Sequence, residues 1–167
     1  MRALWVFLHL LGGVLWIGGG LAAMFVSLAA KKMGRPEQGI AARLVAAVYA
    51  KMIAPGAGII VLSGLFLTMT YMGALNRGEL ELAISPWIMA MQGLGLVGAG
   101  LVFAVALPAV NKLARLDPVA HAEPFDALRT KQRMAGMIAT SCAFISLVAA
   151  ALYRCGARRA RRGRRGR

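Results

Sequence analysis

The sequence predicts an all-α protein: four membrane-spanning helices in an up-down-up-down bundle over residues 1–153, then a basic tail over residues 154–167. Three observations carry that prediction. Hydrophobic residues make up 59% of the 167-residue chain, against about 45–50% apolar content in soluble domains, and the mean hydropathy is +0.67. Four apolar stretches, each long enough to cross a hydrocarbon core of ~30 Å, are separated by short charged segments. The charge itself is unevenly placed. Twenty Lys and Arg against six Asp and Glu give a formal +14, but eight of those arginines lie between Arg154 and Arg167. A strongly basic soluble chain would point to nucleic acid. Here the excess belongs to a tail and to loops, which excludes specific nucleic-acid binding by the chain as a whole.

The first span, Leu4 to Ala30, holds no fixed charge and one imidazole, His9. Its apolar run is longer than a signal-peptide core and is closed by Lys31-Lys32, so it reads as a retained helix. At 100° per residue, His9, Gly13, Trp16, Gly20, Ala23 and Ser27 share one face, and Leu, Val, Ile and Phe hold the other. An ionisable group inside a span faces protein by default and marks a candidate site.

Lys31 to Glu37 breaks the pattern with Gly34 and Pro36, a helix stop followed by a helix start. One long second helix is expected from Pro36 to about Tyr71, amphipathic and projecting from the bilayer at first, uncharged from Met52 on. Pro55 removes a backbone donor at the junction and predicts a kink. Gly73 to Ser85 is the second loop. Pro86 opens the third span, Trp87 to about Val110, and Pro108 is expected to bend or end its last turn. Leu113 to Thr130 reads as a mixed-charge loop and Met134 to Tyr153 as the fourth span. The tail has no hydrophobic period and is expected to be disordered in isolation.

Glycines crowd the first span (Gly12, Gly13, Gly18 to Gly20) and the third (Gly93, Gly95, Gly98, Gly100), as close helix packing in lipid requires. Trp5 to Lys32 aligns without gaps on Trp87 to Ala114, and Met52 to Pro55 echoes Met137 to Thr140. This would make the bundle two related hairpins, with Met91 in the place of His9. Orientation is undecided by charge, because ten basic residues fall on each side. The end carrying Lys31-Lys32 is favoured as the inner one only by the weight of the first helix.

Neutral imidazole is a ligand for iron, copper or zinc, and one His suffices as a haem axial ligand. Gly13 and Gly20 beside His9 would leave room for a flat ring, with Trp16 at its edge. The alternative is a neutral His9 hydrogen-bonded to a neighbouring helix. A second ligand is harder to name. His121 reads as a solvated loop residue, and Met91, the one thioether singled out by the internal echo, is packing material by default. Cys142 reads as a small core residue, and two cysteines are too few for a disulfide framework. Gln92, the one amide well inside the third span, is expected to bond between helices. No acid lies inside a span, so a carboxylate proton relay has no carrier.

LHLLGGVLWIGG, with His9, Trp16 and Gly19, resembles the first helix of the copper-resistance D-like membrane proteins and of the related bacterial membrane protoporphyrinogen oxidases. Arg43, Pro55 and Gly64 resemble the second-helix pattern of that group, and Pro86-Trp87 its third-helix start. The resemblance implies a multi-pass protein of the bacterial cytoplasmic membrane that holds haem b or handles copper, with His9 as a ligand. The oxidase branch carries a third-helix Lys where this chain has Met91, a departure that speaks against oxidase activity. A scaffold or accessory subunit, alone or as a homo-oligomer, is the rival reading, with the tail on anionic lipid or an acidic partner.

Basic residues near an anionic surface contribute about 1 kcal/mol each. Truncation after Tyr153 is therefore expected to weaken binding to anionic vesicles while leaving helical content intact. Equal binding by full-length and truncated protein at low salt rejects a lipid role for the tail.

Overall fold

A computed structural model describes residues 2–76 and 86–165, with side-chain surroundings for residues 2–73 and 88–151. Helix α1 (Arg2–Ala29) ends in a 3-10 turn, Ala30–Lys32. Helix α2 (Arg35–Val48) passes through a π turn, Tyr49–Ile53, into α3 (Ala54–Asn76). Helix α4 (Pro86–Leu101) passes through a second π turn, Val102–Ala106, into α5 (Leu107–Leu113). Helix α6 is Ala122–Arg165. The result is an all-α four-helix bundle. Its four rods contain stretches long and apolar enough to cross a membrane: Arg2–Lys32, Arg35–Gly73, Ile88–Leu113 and Ala122–Ala151.

The most extensive packing is of α1 on α3 and of α4 on α6; α1 also meets α6, and α3 meets α4. These neighbours place the rods at the corners of a square, with α1 and α4 on one diagonal. Large apolar side chains point outward: Phe7 is 59% exposed, Val14 69%, Phe25 64% and Leu96 61%. The interior is small by contrast, built from Ala23, Ala57, Ala99, Ala106, Ala139 and Ala143 around Trp16. Lipid solvates Leu and Phe as well as a protein core does, so burying them gains little. Small residues gain contact by letting backbones approach.

Two glycines show how close that approach is. A Cβ on Gly12 would lie 2.8 Å from the Gly56 carbonyl oxygen, and a Cβ on Gly56 would lie 2.8 Å from the Trp16 amide nitrogen. The register of the hairpin follows from these contacts. Descending α1 while ascending α3, Gly19 meets Ile53, Trp16 meets Gly56, Gly12 meets Ile60 and His9 meets Ser63. In the second hairpin Gly98 meets Ala139 and Met91 meets Ser146. The sequence echo would pair Gly98 with Ser141 and Met91 with Val148, so the second hairpin is packed two residues out of step with it. Of the third-span glycines expected at an interface, only Gly98 is at one; Gly93, Gly95 and Gly100 have no neighbour within 4 Å of a built Cβ.

Pro55 and Pro108 each sit two residues beyond a π turn. The Ala54 amide bonds to the Tyr49 carbonyl and the Leu107 amide to the Val102 carbonyl, each one residue further back than in an α-helix. Widening the turn relieves the clash between a proline ring and the carbonyl four residues before it. Both rods therefore continue through their prolines. Pro108 does not end its rod, which runs on to Leu113.

The third loop is shorter than expected, because α6 begins at Ala122 rather than after Thr130. Phe125 is buried with Leu113 and Ala42, and Leu128 packs against them. Phe125, Leu128, Gln132 and Ala135 repeat at helical spacing, and that period extends the fourth rod backward. Asp117 turns the chain into it: its Oδ1 accepts the amides of Val119 at 2.8 Å and Ala120 at 3.3 Å. Those two amides hold the Asp117 carboxyl below the usual carboxylate range. At its other end the α6 backbone is helical to Arg165. The second loop, residues 77–85, lies outside the described residues.

The glycine contacts predict a contrast. Gly56→Val is expected to destabilise the bundle by about 1–3 kcal/mol, the usual cost of overpacking. Gly93→Ala is expected to change stability little or raise it. Thermal unfolding of both variants in the same mild detergent checks the pair.

Candidate functional site

His9 is half-buried and turned toward α3. Its Nδ1 lies 3.0 Å from the Ser63 hydroxyl. That hydroxyl donates to the Ile59 carbonyl at 2.5 Å, with Ile60 O at 3.3 Å. A serine has one proton to give, and this one is committed to the backbone of its own helix. With that proton on the Ile59 carbonyl, the Ser63 oxygen is free to accept from an Nδ1–H of His9, the tautomer that leaves the lone pair on Nε2. The tautomer follows from the hydrogen-bond network. Gly64 provides the seat for the ring: a Cβ there would lie 3.3 Å from His9 Cε1.

The polar contacts continue across the bundle. Thr68 donates to the Gly64 carbonyl at 2.8 Å, and Gln92 Nε2 donates to the Thr68 hydroxyl at 2.7 Å. Gln92 thus bonds between helices as its sequence context predicts. On the far side, Ser146 donates to the Cys142 carbonyl at 2.8 Å, with the Met91 carbonyl oxygen 3.3 Å away. Beside His9, Trp5 stacks on Phe66 with centroids 4.1 Å apart and planes inclined by 12°. Interhelical hydrogen bonds in a membrane contribute roughly 0.6–2 kcal/mol each. The network fixes orientation more than it stabilises.

The residues expected beside His9 are distributed over different helices. Gly13 faces Ile60 of α3, with the Ile60 Cδ1 3.7 Å from a built Cβ. Gly20 faces α6, packed on Thr140. Trp16 is 1% exposed and reaches across the diagonal, its ring 3.0 Å from a built Cβ on Gly98. Its indole N–H is buried without a partner. The room that these glycines leave is taken up by Ile60, Thr140, Met52 and Ile53. Among the described residues, these side chains leave no flat slot beside Gly13 and Gly20. Met91 is tied to α6 through its carbonyl, and His9 to α3; the structure does not bring them together.

His121 is exposed in the turn before α6, near the opposite end of the bundle, and Cys142 is a buried free thiol in the core. The side chain of Cys155 lies outside those described. No group of three or more His, Cys, Asp or Glu residues suited to a metal ion occurs among the described residues. What the arrangement offers chemically is one half-buried imidazole, oriented by Ser63 and Gly64. Ser63 and Gly64 were not singled out as partners of His9 in the sequence. The signal available was Ser63 itself, the one hydroxyl in the uncharged run from Met52 to Leu67.

The Nδ1–H assignment is open to direct measurement. In ¹⁵N-labelled protein the His9 side chain is expected to show the Nδ1–H tautomer at neutral pH. Ser63→Ala is expected to shift the tautomer balance toward Nε2–H and to lower stability by about 1 kcal/mol. A wild-type spectrum dominated by Nε2–H overturns the assignment.

The chain matches no protein-family model, and neither curated proteins nor solved structures show a match to it.

Proposed function

We propose that the chain is a small multi-pass protein of the bacterial cytoplasmic membrane that binds one metal centre, haem b iron or a copper ion, through Nε2 of His9. The observation that supports this reading is the chain His9 Nδ1–H to Ser63 to the Ile59 carbonyl. A ligating histidine characteristically donates its other ring nitrogen to a neighbour, which sets both the tautomer and the ring orientation. Either metal would supply one-electron chemistry when bound. The chain's own part is to present the nitrogen, to hold the ring against Gly64 and to keep charge away from it. The site lies at the outer edge of the α1–α3 hairpin, because the interior beside Trp16 is filled. With Met91 in place of the third-helix Lys and no acid inside a span, the reading is of a carrier or redox subunit rather than an oxidase acting on protoporphyrinogen.

A second reading is favoured by a separate observation. Every contact-making glycine of α1 is used in helix packing, which is what a scaffold or accessory subunit needs and all that it needs. In that case His9 and Ser63 form a structural hydrogen bond, and the basic tail meets anionic lipid or an acidic partner.

The two readings separate in one experiment. Protein purified in mild detergent from cells supplied with haem precursor and copper is expected to show a Soret band that shifts on reduction, or close to one copper per chain. His9→Ala is expected to abolish the band or the metal while leaving the helical content unchanged. Absence of both band and metal in the wild type sinks the metal-centre reading and leaves the scaffold.

A further inference from the structure

At the end of the bundle opposite His9, a small pocket opens between the last turn of α1 and helices α2, α5 and α6. Its polar lining comes from Ser27, Gln38, Arg129 and Gln132, and its apolar lining includes Leu113 and Phe125. Arg129 is half-buried. Its Nη1 donates to Gln38 Oε1 at 2.8 Å and its Nη2 to the Ser27 carbonyl at 3.4 Å, both neutral acceptors. The nearest carboxylate, Asp126, is taken by Arg35, which holds it with two bonds of 2.8 and 2.9 Å. A guanidinium has five N–H donors in a planar fork, so most of those on Arg129 are uncommitted to protein side chains. Gln132, 5% exposed, makes one long bond of 3.4 Å to the Tyr49 hydroxyl.

Position adds to chemistry. Ser27 lies one helical turn before Lys31 and Lys32, so the pocket is about 6 Å along the axis inside the charged end of α1. This end of the chain holds ten Lys and Arg against four acids, Glu37, Asp117, Glu123 and Asp126. On the outer face of α2, Ile40 and Leu44 are more than half exposed, an apolar surface beside a cationic one. The pocket itself, about 20 Å³, admits little more than one water, so an anion would meet Arg129 at its rim, where a guanidinium with free donors suits phosphate.

We infer that the rim of this pocket is a headgroup site for an anionic phospholipid, whose phosphate takes the remaining N–H donors of Arg129 while an acyl chain lies along α2. The site is independent of His9 and of the arginine tail, which leaves the bundle at the other end.

The test uses the full-length protein in mild detergent and reads retained lipid by native mass spectrometry after exchange into phosphatidylglycerol or phosphatidylcholine. The wild type is expected to retain one phosphatidylglycerol in preference to phosphatidylcholine. Arg129→Gln is expected to weaken that retention about fivefold with the tail intact. Gln38→Ala breaks the latch but keeps the charge, and is expected to keep or raise retention; it carries the test if Arg129→Gln does not fold. Equal retention of the two lipids, unchanged retention in Arg129→Gln, or a fall in Gln38→Ala overturns the assignment. Displacement of the lipid by millimolar inorganic phosphate also overturns it, in favour of a soluble anion.

Discussion

The close approach of α1 and α3 at Gly12 and Gly56 is the constraint on which the rest of the bundle depends. With carbonyl oxygen and amide nitrogen less than 3 Å from where a Cβ would stand, no other residue pair could occupy those positions without moving a backbone. That contact sets the antiparallel register. Three residues back along α1 and seven forward along α3, the same register delivers His9 to Ser63. The candidate site is therefore a consequence of packing several residues away.

The same contact aims Trp16. Held by its backbone against Gly56, its side chain crosses the centre of the square and ends on Gly98 of α4. One bulky ring thereby joins two helices that otherwise meet only through their neighbours. Filling the centre in this way has a chemical cost and a chemical consequence. The cost is a buried indole N–H without an acceptor, about 1–3 kcal/mol where no partner is found. The consequence is that, among the described residues, the centre of the bundle at the level of Trp16 is filled. The glycines that look in sequence like a cradle for a cofactor serve instead as a cradle for α3 and α6.

The four rods, their order and the outward orientation of the Leu, Val and Phe positions were legible in the sequence, because lipid imposes length and polarity directly on each span. Less legible were the features set by contact between rods. The start of α6 was placed about ten residues late, since a stretch with Asp126, Arg129, Lys131 and Arg133 reads as loop until Phe125 is seen to bury against Leu113 and Ala42. Pro108 reads as a terminator because a proline's effect depends on whether the preceding turn can widen. His9 stood out as the one imidazole in an apolar helix. Its partner did not, because a serine in a span satisfies itself on its own backbone and gives no sign of also accepting a bond. The face drawn through Gly13, Trp16 and Gly20 is real as geometry. A helix with neighbours on three sides, however, divides such a face among them.

The two hairpins are alike in build and different in chemistry. Trp16 packs on Gly56 and Gly98 on Ala139, a bulky and a small residue facing each other across the centre, so that one ring fills the space which two could not share. His9 meets Ser63, and Met91, which aligns with His9, meets Ser146 through its carbonyl. In the first hairpin the serine accepts from a ring nitrogen; in the second it can reach only a backbone carbonyl, because a thioether has no N–H or O–H to offer. A symmetric pair of histidines would place two ionisable groups inside the membrane, where each is costly. Keeping one and replacing the other with a neutral, flexible side chain leaves one imidazole inside the spans. The asymmetry between the hairpins, more than the presence of an imidazole, is what singles out the α1–α3 edge.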